Sequence, residues 1–95
     1  MDSLRQKKIN ELIKRELNEI LVKSFDFPLD CLVTILEVDT SADLSESKVY
    51  FSVFPLEQSL FAFNLLKKDI GVLQKALNRR LKMKIVPHLK FYLKN

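Results

Sequence analysis

Glycine occurs once in these 95 residues, cysteine once, histidine once, and tryptophan never. A single cysteine, Cys31, excludes an internal disulfide and any metal site built on thiols; it reads as a small, partly buried hydrophobe. His88 follows Pro87 with no second ligand type nearby, so it reads as a surface histidine. No apolar run approaches the ~20 residues that a bilayer-spanning helix needs. The opening stretch MDSLRQKKINEL is charged and lacks the apolar centre of a signal peptide, which points to the cytoplasm. Nucleophile–base pairs, phosphate-binding glycine motifs and metal clusters are also missing. Asp39, Asp43 and Glu46 lie in turn-like sequence with no partner base, and no calcium-loop spacing occurs. The reading is therefore of a protein that is not an enzyme, with neither cofactor nor metal.

Acidic residues are scarce in one part of the chain only. Residues 1–66 hold seven Lys/Arg against eleven Asp/Glu, whereas residues 67–95 hold nine against one, Asp69. So large a difference between segments marks an electrostatic footprint for a polyanion.

What is present reads as one domain over residues 1–95, with a single core. Ser3-Leu4-Arg5-Gln6 has the form of a capping box. Ile9, Leu12, Ile13, Leu17, Ile20 and Leu21 follow on one arc of a helix that reaches about Val22. Lys7, Glu11, Lys14 and Asn18 fall on the opposite side, and Lys7/Glu11 and Arg15/Glu19 are spaced to satisfy one another, so this helix reads as scaffold. SFDFPLDC (24–31) is a connection. LVTILEVD (32–39) and SKVYFSVF (47–54) alternate with period two and are joined by the polar turn SADLS (41–45), which predicts an antiparallel hairpin. Pro55 then opens a second helix over about 56–69. Phe61 and Phe63 point to nearly opposite sides of it, so one belongs to the core. A third helix runs to about Leu81 with Leu73, Ala76, Leu77 and Leu81 as its stripe, and IVPHLKFYL (85–93) reads as a last strand. The order is α-β-β-α-α-β.

Gly71 separates two helical patterns that share no continuous stripe, so a kink is expected there. The start of the third helix would offer free N–H groups and a positive dipole end to a phosphate, with Lys67, Lys68, Lys75 and Arg79 around it. Two charges sit inside apolar stripes: Arg80 on the third helix and Glu16 on the first. Either each snorkels to water, or the two meet as a partly buried pair that holds the helices in register. A structural Arg80 leaves Lys67, Lys68, Lys75, Arg79, Lys82 and Lys84, with Gly71, as the set that faces a polyanion.

The order of elements and the lone glycine resemble the type II KH family of RNA-binding domains. The usual GxxG loop is replaced here by Lys68-Asp69-Ile70-Gly71. This departure, with Ile9-x-x-Leu12-Ile13-x-Arg15-Glu16-Leu17, Val33-Thr34-Ile35, Asp43-Leu44-Ser45, Lys48-Val49-Tyr50 and Leu77-x-x-Arg80-Leu81-x-Met83-Lys84-x-Val86-Pro87-x-Leu89-x-Phe91, resembles the ribosome-binding factor A branch. Two positions depart from the family pattern: Asp69 stands where alanine is usual, and Gln74 where arginine is common.

The resemblance implies an α+β, KH type II-like fold, a three-stranded sheet packed against three helices with a kink at Gly71. It implies a monomeric ribosome assembly factor that binds the small (30S) subunit and its 16S rRNA, possible ribosomal-protein contacts included. It further implies help in late rRNA maturation and a role in cold adaptation. Two alternatives stand beside it. One is a generic KH-type RNA-binding module, against which the absent tryptophan and core-patterned phenylalanines weigh. The other is a small protein-interaction domain whose basic face docks an acidic partner.

Overall fold

The computed structural model describes residues 3–28 and 30–95. Its elements are α1 (Leu4–Ser24), β1 (Leu32–Thr40), β2 (Glu46–Phe54), a 3-10 turn (Leu56–Gln58), α2 (Ser59–Lys68), α3 (Ile70–Arg80) and β3 (His88–Leu93). This is the α+β arrangement expected of a KH-like chain. The sheet order is β1-β2-β3, with β1 antiparallel and β3 parallel to β2.

One sheet face is covered and the other is open. Val49, Phe51 and Val53 of β2 alternate inward with Ile35 and Val38 of β1 and Leu89 and Phe91 of β3. They meet the stripes of α1 (Ile9, Ile13, Leu17, Ile20, Leu21) and α3 (Leu73, Leu77), together with Ala62 and Leu66 of α2, in one core. The open face carries Tyr50 stacked on Tyr92 with centroids 5.5 Å apart, and Lys94 over the Tyr50 ring. Lys90 lies 3.8 Å from Glu46 and Lys94 3.8 Å from Glu37, so charge on this face is internally balanced.

The first helix does more than bury a stripe. Ser3 and Gln6 close the expected capping box. The Gln6 side chain then donates to the Thr40 carbonyl at 2.9 Å, and Asn10 accepts from the Thr40 N–H at 2.9 Å. Asn18 accepts from the Ile35 N–H at 2.9 Å and donates to the Ile35 carbonyl at 3.2 Å. Ile35 borders the register shift with β2 that falls between it and Glu37. β1 is an edge strand, and three amides of α1 occupy outward backbone groups that would otherwise invite another strand. Asn18, expected on the solvent side, is thus a half-buried clamp.

Helix ends and pairs also differ from the expectations. The Lys7/Glu11 and Arg15/Glu19 pairs do not form; Glu19 instead meets Lys23 at 2.8 Å and Arg80 at 3.1 Å. α2 covers the sheet along a narrower line than its composition suggests: Phe63 stacks on Phe51, while Phe61 is 49% and Leu60 71% exposed. β3 starts at His88, because its ladder with β2 begins at the Glu46/His88 pair and Pro87 has no N–H to extend it.

Candidate nucleic-acid interface

The break between α2 and α3 falls at Asp69, two residues before Gly71. Asp69 has φ −100° and ψ 19°, a conformation open to any L-residue. Its N–H closes on the Leu65 carbonyl, and its own carbonyl receives the Leu73 N–H. Gly71 lies in the first turn of α3, exposed, without a positive φ, and a Cβ built on it meets nothing within 4 Å. Neither the backbone nor any neighbour within the chain requires glycine there. What glycine leaves is a bare patch of helix backbone facing solvent.

The corner beside it is a cavity of about 220 Å³ lined by Ser24, Phe25, Asp26, Leu65, Asp69 and Val72. Two carboxylates stand in it, and Lys67, Lys68, Lys75 and Arg79 do not line it. Lys67 extends over the Phe63 ring, 5.3 Å from its centroid. Lys68 is exposed at the last position of α2. Lys75 and Arg79 stand one turn apart on the exposed flank of α3, on the same side as Gly71. Lys82 and Lys84 follow in the segment between α3 and β3, also exposed. In chain order, the sequence-picked cations therefore run from Lys75 and Arg79 on α3 to Lys82 and Lys84 in the segment after it, with Lys67 and Lys68 at the end of α2.

Arg80 has a different position. Its Nη1 donates to Glu16 Oε2 at 2.9 Å and lies 3.1 Å from Glu19 Oε1, with side-chain exposures of 30% for Arg80 and 19% for Glu16. Hydrogen bonds from Lys23 first, and from Arg80 second, hold the Glu19 carboxyl below its usual value. By contrast, no described carboxylate lies within ion-pair distance of Lys75, Arg79, Lys82 or Lys84.

Gln74, one of the two departures from the family pattern, is a structural clamp. Its amide donates to the Pro87 carbonyl at 3.0 Å and accepts from the Leu89 N–H at 2.9 Å, so it fixes the entry of β3 against α3. That contact also anchors the far end of the basic 81–87 segment. The turn between β1 and β2 is tightly held as well. Asp43 accepts from the Ser41 and Ser45 hydroxyls and the Ser45 N–H, and these bonds, Ser45's first, lower its carboxyl pKa. Leu44 beside it sits at φ 62°, a left-handed conformation that is costly for leucine.

Among the described residues, no group of three or more His, Cys, Asp or Glu is placed to hold a metal ion. No helix among them is long and apolar enough to cross a membrane.

With exposed cations on α3 and on the segment after it described, comparison with known proteins decides the family. Residues 5–95 match the family model for ribosome-binding factor A. The chain belongs to the ribosome-binding factor A family. It is 34% identical to ribosome-binding factor A of Thioalkalivibrio sulfidiphilus over 91 residues, 95% of this chain and 70% of that one. The counterpart from Akkermansia muciniphila is also 34% identical, over 96% of this chain and 72% of its own. The crystal structure of ribosome-binding factor A from Thermus thermophilus superposes with a TM-score of 0.78 at 31% identity, covering 93% of this chain and 94% of that one. A homology model of the Thermus thermophilus factor, fitted into a cryo-electron microscopy map of its complex with the 30S subunit, gives a TM-score of 0.72 at 32% identity. It covers 87% of this chain and 88% of its own.

Proposed function

We propose that this chain binds the small ribosomal subunit and its 16S rRNA as a monomer in the cytoplasm and assists late rRNA maturation, including during cold adaptation. It acts through binding rather than catalysis, stabilising one RNA arrangement over another. The observation that carries the reading is the run Lys75, Arg79, Lys82 and Lys84. These four cations are exposed and have no counter-charge within ion-pair distance among the described residues, on a relative of a factor fitted into a 30S complex. Gly71 extends this run as a place where an RNA backbone can approach the helix closely, and Lys67 and Lys68 flank it. About four phosphate contacts give a log–log salt slope of roughly −3. The remaining affinity comes from recognition of a folded RNA surface, with ribosomal proteins as further partners.

Co-sedimentation with purified small and large subunits, at about 50 and 200 mM salt, tests this reading with a K75E/R79E/K82E variant alongside. Salt-sensitive binding to small subunits alone, lost in the variant, is the expected outcome. Equal binding to both subunits makes the basic run a non-specific surface, and no binding to either overturns the proposal.

A further inference from the structure

Two cations outside the sequence-picked set stand with two inside it around a cleft. A cavity of about 600 Å³ is lined by Arg5, Lys82 and Lys84 over Leu44, Met83 and Ile85. An adjoining one of about 260 Å³ brings in Lys8 over Ile9 and Leu12, and the two share Arg5 and Met83. Together they fall within the size range of small-molecule sites.

The composition of this cleft defines its ligand. Arg5, Lys8, Lys82 and Lys84 have no described carboxylate within ion-pair distance. Asp43, the one acid at the rim, has an oxygen committed to Ser41 and Ser45. Arg5 and Lys8 lie at the N-terminal end of α1, whose first turn has no acidic residue, where the helix dipole disfavours cations. Among the described residues, this positive charge is therefore unpaired at a helix end whose dipole opposes it. Beneath that charge the floor is apolar: Met83 and Leu44 are half-buried, and Ile85 is 72% exposed. The left-handed turn at Leu44 helps to shape this floor. A cation ring over an apolar floor suits a ligand that is both polyanionic and partly apolar. An RNA duplex presents phosphates but keeps its bases stacked inside, whereas a single strand offers both.

We propose that the cleft between the start of α1 and the 81–85 segment is a binding site for single-stranded RNA. An unstacked base lies against Met83, Leu44 and Ile85, and flanking phosphates lie on Arg5, Lys8, Lys82 and Lys84. The site rests on the RNA-binding reading above and extends it from the α3 flank to α1, which the sequence presents as scaffold.

The test measures binding of a short oligouridylate, and of an RNA duplex of the same length, across a salt series. Wild type, R5E/K8E and I85S are compared, with thermal melts to verify folding. These side chains are exposed and make no ion pair among the described residues, so the variants should fold. Wild type should favour the single strand. R5E/K8E should lose about tenfold in affinity, with a salt slope shallower by about 1.4. I85S should lose about threefold with its slope unchanged, an effect that a purely electrostatic surface would not show. Undiminished binding by R5E/K8E, equal binding of duplex and single strand, or no binding of the oligouridylate by wild type overturns the cleft. Small-subunit binding measured on the same preparations decides the broader function separately: wild type binding subunits but not oligouridylate removes only the cleft.

Discussion

Arg79 and Arg80 are adjacent in sequence and opposite in circumstance. Arg80 turns inward to Glu16 and Glu19 of α1, half shielded, and joins two helices. Arg79 turns outward with Lys75 and meets no carboxylate among the described residues. The same division runs through the molecule. Along α1 and β1, buried and half-buried polar groups are matched: the Gln6, Asn10 and Asn18 amides to the edge strand, and Glu16 and Glu19 to Arg80 and Lys23. Among the described residues, no buried side-chain polar atom lacks a partner. Lys75 and Arg79 on α3, Lys82 and Lys84 before β3, and Arg5 and Lys8 at the start of α1 meet no carboxylate among the described residues. Matched polar groups stabilise the fold, whereas unmatched exposed cations do little for it and remain available to a polyanion.

The comparison breaks first at Asn18. If the α1 amides hold the edge of the sheet, N18A leaves the Ile35 N–H and carbonyl without these bonds and costs about 1–2 kcal/mol. A loss in Tm of roughly 5–10 °C follows for a domain of this size, and an unchanged melt would show that water replaces the amide at no cost. A smaller effect is expected for Arg80. R80A should lower Tm by several degrees and E16A likewise, with the double variant losing less than the sum, whereas R79A should leave the melt unchanged and weaken small-subunit binding. Additive losses would mean that Glu16 and Arg80 act independently. The smallest effect has the opposite sign. With nothing within 4 Å of a Cβ at Gly71, G71A should stabilise the chain by about 0.4–1 kcal/mol. Reduced small-subunit binding by this more stable variant would give the glycine an external role; unaltered binding would remove Gly71 from the interface.

Much of this was legible in the sequence because it depends on period and sign. The stripes of α1 and α3 and the alternation of β1 and β2 announce the core, and the charge imbalance after residue 66 announces the basic segment. The positions of Glu16 and Arg80 within apolar stripes suggested a meeting that periodicity alone could not distinguish from snorkelling. Asn18, Gln74 and Arg5 were less legible, for one reason. The backbone groups that Asn18 and Gln74 clamp lie 13 or more residues away, as do Lys82 and Lys84 beside Arg5, and no local pattern records which backbone group or cation a fold will bring beside a side chain. Gly71 erred in the other direction. Its rarity suggested a conformational demand, yet the helix break settled on Asp69, a residue with no such signature.

By itself, then, the sequence determined the elements and the sign of the field, since both follow from spacing and composition along the chain. Tertiary structure alone decided which charges were consumed and which were left over. Whether a cation finds a carboxylate depends on the distance between elements far apart in sequence, and Coulomb attraction weakens with separation and with exposure to water. That geometry brought Arg80 within 2.9 Å of Glu16 and left Arg79, one residue earlier, in solvent.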